Sequence, residues 1–99
     1  MTTLELKNMT TCVNLHWGNR MPLMAAEECG EFVQAVSKLE RKLYAHLQSP
    51  IECVDELDHL AEEMGDVFIV IGALANRYGI LATDIEEAIT SKLSEERVE

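Results

Sequence analysis

A chain of 99 residues has room for one domain whose core is hard to cover completely at this size, and 47% apolar residues is an ordinary share for a globular fold. A net charge of −10 argues against general binding to nucleic-acid backbones or anionic lipid, both of which call for basic patches, while a small nucleotide arriving with its own metal ion is still acceptable. Cys12, Cys29 and Cys53 are odd in number and lack C-x-x-C spacing, so they suggest neither a disulfide framework nor a zinc site and fit a reducing cytoplasm.

The N-terminus shows no basic region followed by an apolar core, so no secretory signal is expected. Thr2 and Glu5 have the spacing of a capping box, which predicts a helix from Thr2 or Thr3 carrying Leu6, Met9, Val13 and Trp17 on one stripe and stopping at Gly18. Trp17 either closes the core or stacks on a base; His16 beside it is a possible assistant or a plain surface residue.

A second helix should open at Pro22 and run to about Leu47, with Leu23, Ala26, Gly30, Val33 and Leu43 on roughly one side and Val36 and Leu39 nearby. Lys38, Arg41 and Lys42 make its far end basic, which reads first as an exposed face and second as a reach toward phosphates. Gln48-Ser49-Pro50 is the strongest turn signal in this part of the chain, and Ser49, Pro50 and Glu52 mark the start of a third helix. Glu56-x-x-His59 has the spacing of a di-iron ligand pair, but no second E-x-x-H exists, so His59 is read as structural or exposed. The stretch from Val67 to Ala75 is apolar around the whole helix and is expected to be covered on every side, as the central element of the fold. It is far shorter than the roughly 20 residues that a membrane span needs. The helix should end at Tyr78-Gly79, and a fourth should start at a capping box of Thr83 and Glu86, carrying Ile85, Ala88, Ile89 and Leu93 inward.

Two acidic stretches organise these elements. Glu28 and Glu31 on the second helix, and Glu63 and Asp66 on the third, are each three apart and so point the same way. The midpoint between Gly30 and Gly65 falls at Leu47/Gln48, so a reversal there brings the two pairs face to face in an antiparallel hairpin. Four converging carboxylates cannot all remain ionised and unpaired, and an all-oxygen donor set without a Cys or His pair suits Mg²⁺ first and Mn²⁺ next. Gly30 and Gly65 should let the helix axes approach there. Solvated acidic faces are the bland alternative, disfavoured by the mirrored placement.

At these residues the chain resembles the all-α nucleoside triphosphate pyrophosphohydrolases, the MazG-like group, whose pattern of E-E-x-x-E on one helix and E-x-x-D on the next is met by Glu27, Glu28, Glu31, Glu63 and Asp66. The likeness covers most of the chain, from about Trp17 to Arg97, although the interval between the motifs is somewhat longer than usual. It implies a single domain over residues 1–99 with an all-α fold, four-helix bundle-like around a central antiparallel hairpin, and Mg²⁺-dependent cleavage of a nucleoside triphosphate between its α and β phosphates. It also implies an aromatic such as Trp17 in the base pocket, Lys92 and Arg97 on the phosphates, and assembly as a homodimer or homotetramer. Glu96 stands where the family has Asn. Glu27 points about 100° away from Glu28, so it either orients the attacking water, holds a second ion, or is only an outward acid. The bare apolar run from Val67 to Ala75 asks for an oligomer independently. A phosphoribosyl-ATP pyrophosphohydrolase and a non-catalytic metal-binding helical module are the alternatives.

Overall fold

The computed structural model describes residues 2–45 and 50–98; the Gln48-Ser49 turn, the Ser49 cap and the proposed helix end at Leu47 lie outside them. Among the described residues the chain is all-α, with no strand: α1 Thr3–Trp17, α2 Met21–Glu40, α3 Val54–Tyr78 and α4 Ala82–Val98. No helix among them is long and apolar enough to cross a membrane. The chain divides into two compact units, one of Pro22–Ile71 and one of Met1–Met21 with Gly72–Glu99.

In the Pro22–Ile71 unit, α2 and the first part of α3 form an antiparallel hairpin. Lys42 Nζ near one end meets Glu56 Oε1 at 2.7 Å, and Glu28 and Glu31 toward the other end converge on Glu63. The seam is drawn by spacing. From Ala25 onward along α2 only Ala25, Glu28, Phe32, Ala35, Leu39 and then Lys42 and Leu43 are withdrawn from solvent, and along the facing segment from Glu52 to Ile71 only Cys53, Glu56, Leu60, Glu63, Val67 and Val70. Steps of three and four on both helices are those of knobs packed into holes.

This seam is not the stripe expected from apolar residues alone: Leu23 and Val33 are 59% and 61% exposed, and Ala26 and Val36 are exposed too. The reason is that charged side chains occupy seam positions 28, 42, 56 and 63, so counting apolar residues selects the wrong side of α2. Gly30 and Gly65 do not mark a close approach either, because a Cβ at either would meet nothing within 4 Å. After Glu40 the helix widens into a π-helical turn, Arg41–Ala45, which places Lys42 against Glu56. Pro50–Cys53 forms a 3₁₀ turn, so α3 itself starts four residues later than the Pro50 signal suggests.

In the other unit, α1 opens with the expected box: Thr2 Oγ1 accepts from the Glu5 backbone N–H, and the Glu5 carboxylate accepts from Thr2. The side chains of Leu6 and Met9 lie outside the described set, while Val13 and Trp17 are half-buried. Buried Thr10 donates to Gly72 O, Asn14 Nδ2 donates to Ala73 O at 2.9 Å, and Arg77 donates to Gly18 O at 2.8 Å, so α1 runs alongside the last turns of α3 in the same direction. That helix ends as expected. Gly79 has φ 71°, and Ile80 N–H reaches back to Ala75 O at 2.9 Å, a Schellman closure.

The fourth helix corrects two expectations. Its start is capped by Asp84, whose carboxylate accepts from Leu81 N–H at 2.9 Å, and not by a Thr83/Glu86 pair. Of the four apolar residues expected inward, Ile89 and Leu93 are 53% and 55% exposed, Ala88 is exposed, and only Ile85 is half-buried. The run from Val67 to Ala75 is covered unevenly: Phe68, Ile69 and Ile71 are 71%, 37% and 43% exposed, while Val70, Ala73 and Ala75 are buried.

Candidate functional site

Three of the acidic residues meet in the hairpin. Glu28 and Glu31 on α2 and Glu63 on α3 each offer one carboxylate oxygen, and the three atoms lie within 4.8 Å of one another. The local reason is the seam: Glu28 and Glu63 occupy seam positions, so helix packing forces their side chains inward, and Glu31, three residues on, borders the same layer while staying exposed. Glu63 is 8% exposed. Asp66 is exposed and outside this trio, yet close enough for its charge to act on Glu28. Glu27 is exposed, as its phase on the helix requires.

Burial first, then the charges of Glu31, Asp66 and Glu63, hold the Glu28 carboxyl above its ordinary range. The Oε2 atoms of both Glu28 and Glu63 are buried with no hydrogen-bond partner. A buried anionic oxygen without a donor is costly, and here two carboxylates that carry one belong to the same close trio. A divalent cation would satisfy all three, and an all-oxygen set fits a hard ion of the Mg²⁺ or Mn²⁺ type.

His59 was not assigned to this site by its sequence context, but its Nε2 lies 3.7 Å from Glu63 Oε1, one turn away on the same helix. The signal that finds it is the four-residue spacing to Glu63, not the Glu56-x-x-His59 pairing. Glu56 is engaged elsewhere: its hydrogen bond with Lys42 leads the causes that lower its pKa and raise that of Lys42. Lys42 is therefore committed to the hairpin. Trp17 and Lys92 belong to the other unit. Trp17 is half-buried against the ring of His16, and Lys92 is exposed, with Glu95 at 3.6 Å. Arg97 lies in the last turns of α4, and its side chain is outside the described set.

The raised Glu28 pKa fixes the sign of one measurement. The folded state holds this proton more tightly than the unfolded chain does, so its stabilising contribution is full below the ordinary carboxylate range and is lost as pH rises through the raised value. In EDTA, Glu28→Gln should therefore gain in melting temperature relative to wild type as pH is raised from 4.5 to 7. A difference that stays constant or shrinks would contradict the raised pKa.

The MazG nucleotide pyrophosphohydrolase domain model matches residues 19–97, a span that holds all five acids of the two motifs. Comparison with curated proteins and with solved structures gives no significant match.

Proposed function

We infer that this chain, which belongs to the MazG nucleotide pyrophosphohydrolase family, hydrolyses a nucleoside triphosphate between the α and β phosphates to give the monophosphate and pyrophosphate. The observation that carries the reading is the cross-helix trio Glu28, Glu31 and Glu63, with two buried carboxylate oxygens lacking donors. These three, with Asp66 beside them, would hold Mg²⁺ or Mn²⁺, which when bound supplies Lewis-acid stabilisation of charge on the phosphates.

The protein's own residues then divide the remaining work. Water attacks the α phosphorus as its bond to the bridging oxygen breaks and pyrophosphate leaves with the electron pair; Glu27, exposed beside the trio, is assigned to orienting that water and taking its proton. Lys92 and Arg97 are assigned to the phosphates and Trp17 to the base. A chain of net charge −10 repels a bare triphosphate, so the substrate is best met as its metal complex. We read the whole chain as one functional domain that works as a homo-oligomer, supported by the exposed apolar side chains of α3 and α4, in a reducing cytoplasm consistent with an odd number of cysteines without C-x-x-C spacing.

Incubation of the common and damaged nucleoside triphosphates with the protein and Mg²⁺, followed by anion-exchange chromatography, should show monophosphate and pyrophosphate in equal amounts. Diphosphate with orthophosphate would overturn the assignment of the bond.

A further inference from the structure

His59 stands beside the acidic trio without belonging to it. Its Nε2 lies 3.7 Å from Glu63 Oε1, and no other hydrogen bond or ion pair holds its ring among the described residues. That separation is too long for a hydrogen bond, which closes at about 2.7–3.2 Å. It suits two donors that share one ion: with bonds of about 2.1 Å, adjacent corners of an octahedron are about 3.0 Å apart and opposite corners about 4.2 Å. We propose that His59 supplies a nitrogen ligand to the ion held by Glu28, Glu31 and Glu63, and so makes the site prefer Mn²⁺ and the later first-row dications to Mg²⁺. The proposal rests on the metal-site reading given above and names the class of ion which that site selects.

Three features put the ring within reach. Positions 59, 63 and 66 are four and three apart, so His59 continues the line of Glu63 and Asp66 along one side of α3. The ring has room to turn, because its side chain is 48% exposed and borders a cavity of about 180 Å³ shared with Ala35, Lys38, Asp55 and Glu56. Glu63 is the opposite case. It is 8% exposed with its Oε2 unpartnered, so packing fixes the carboxylate and the imidazole is the part that adjusts. Donor chemistry then decides the ion. Carboxylates alone suit Mg²⁺, which demands near-ideal octahedral geometry and keeps several waters, whereas imidazole suits the transition metals. A ring that acted only as a charge beside Glu63 would change the affinity for every dication alike.

Mn²⁺ added alone to the metal-free protein gives the direct test. Pulsed electron paramagnetic resonance of that complex should show modulation from a directly bound nitrogen, and His59→Ala should lose it while keeping its helical circular dichroism. Later dications bind more tightly than Mg²⁺ at most mixed sites, so the diagnostic quantity is the change in their ratio. In titration calorimetry His59→Ala should lower Co²⁺ affinity by roughly 10-fold or more, the size that loss of a neighbour typically costs a metal site, and change Mg²⁺ affinity far less. A Mn²⁺ complex without nitrogen modulation would overturn the His59 ligand and leave the carboxylate site in place. Modulation that survives in His59→Ala would assign the nitrogen to another residue and overturn it too, as would equal changes for Co²⁺ and Mg²⁺. Failure of the wild type to bind any dication would overturn the carboxylate site and this ligand together. None of these readouts uses turnover, so the hydrolase reading is tested separately.

Discussion

Glu63→Gln is expected to lower divalent-metal affinity by roughly 100-fold or more and to remove metal-dependent hydrolysis with it, since even neighbours of metal ligands are typically worth 10- to 100-fold. The substitution keeps the shape of a side chain that is 8% exposed and removes only its charge. Without metal the variant should be no less stable than wild type, because one of the mutually repelling carboxylates around Glu28 has gone. With metal the order reverses: a ligand at 100 times its Kd stabilises wild type by about 2.7 kcal/mol, and the variant should gain almost nothing. Titration calorimetry and paired melts in EDTA and in Mg²⁺ check both halves. Equal metal affinity in the two proteins would remove Glu63 from the site.

Adjacent residues of α3 supply the second large effect. Val70 is 1% exposed in the seam, whereas Ile71 is 43% exposed. Val70→Asp buries an unpaired charge at a cost of several kcal/mol, against a total stability of about 5–15 kcal/mol for a domain of this kind, and should leave the chain largely unfolded. Ile71→Asp should leave the hairpin folded and lose self-association. Circular dichroism melts separate the two variants. A well-folded Val70→Asp protein would mean that the seam has been drawn one residue out of phase.

Local chemistry made several features readable from sequence. Thr2 with Glu5, and Tyr78 before Gly79, carry their backbone consequences within a few residues, and both appear as expected. The meeting of Glu28 and Glu31 with Glu63 was legible because helix spacing and hairpin symmetry are the only geometry it needs. The same spacing places Asp66 beside them; it is exposed and outside the close trio, with its charge acting on Glu28. The buried side of α2 was not legible. Leu23 and Val33 score as core by hydrophobicity, but Glu28 and Lys42 hold the inward positions through a shared acidic cluster and a Lys42–Glu56 pair, neither of which exists before the helices meet. Similarly, a helix that starts after Thr83 and one that starts after Leu81, with Asp84 reaching back to the Leu81 N–H, differ by a shift of two residues that only the turn after Gly79 decides.

The seam that zips α2 to α3 is also the wall of the acidic site, and that coincidence sets a trade-off between cohesion and chemistry. A hairpin shaped for durability alone would carry leucine at 28 and 63, the layers where carboxylates now sit. With no cation those layers push the helices apart, and Ala35, Leu39, Leu60, Val67 and Val70 must hold them. With a cation the same layers would instead tie the two helices together. If the site takes a divalent ion, amide exchange along Phe32 and Leu60 should slow as the supply of that ion rises.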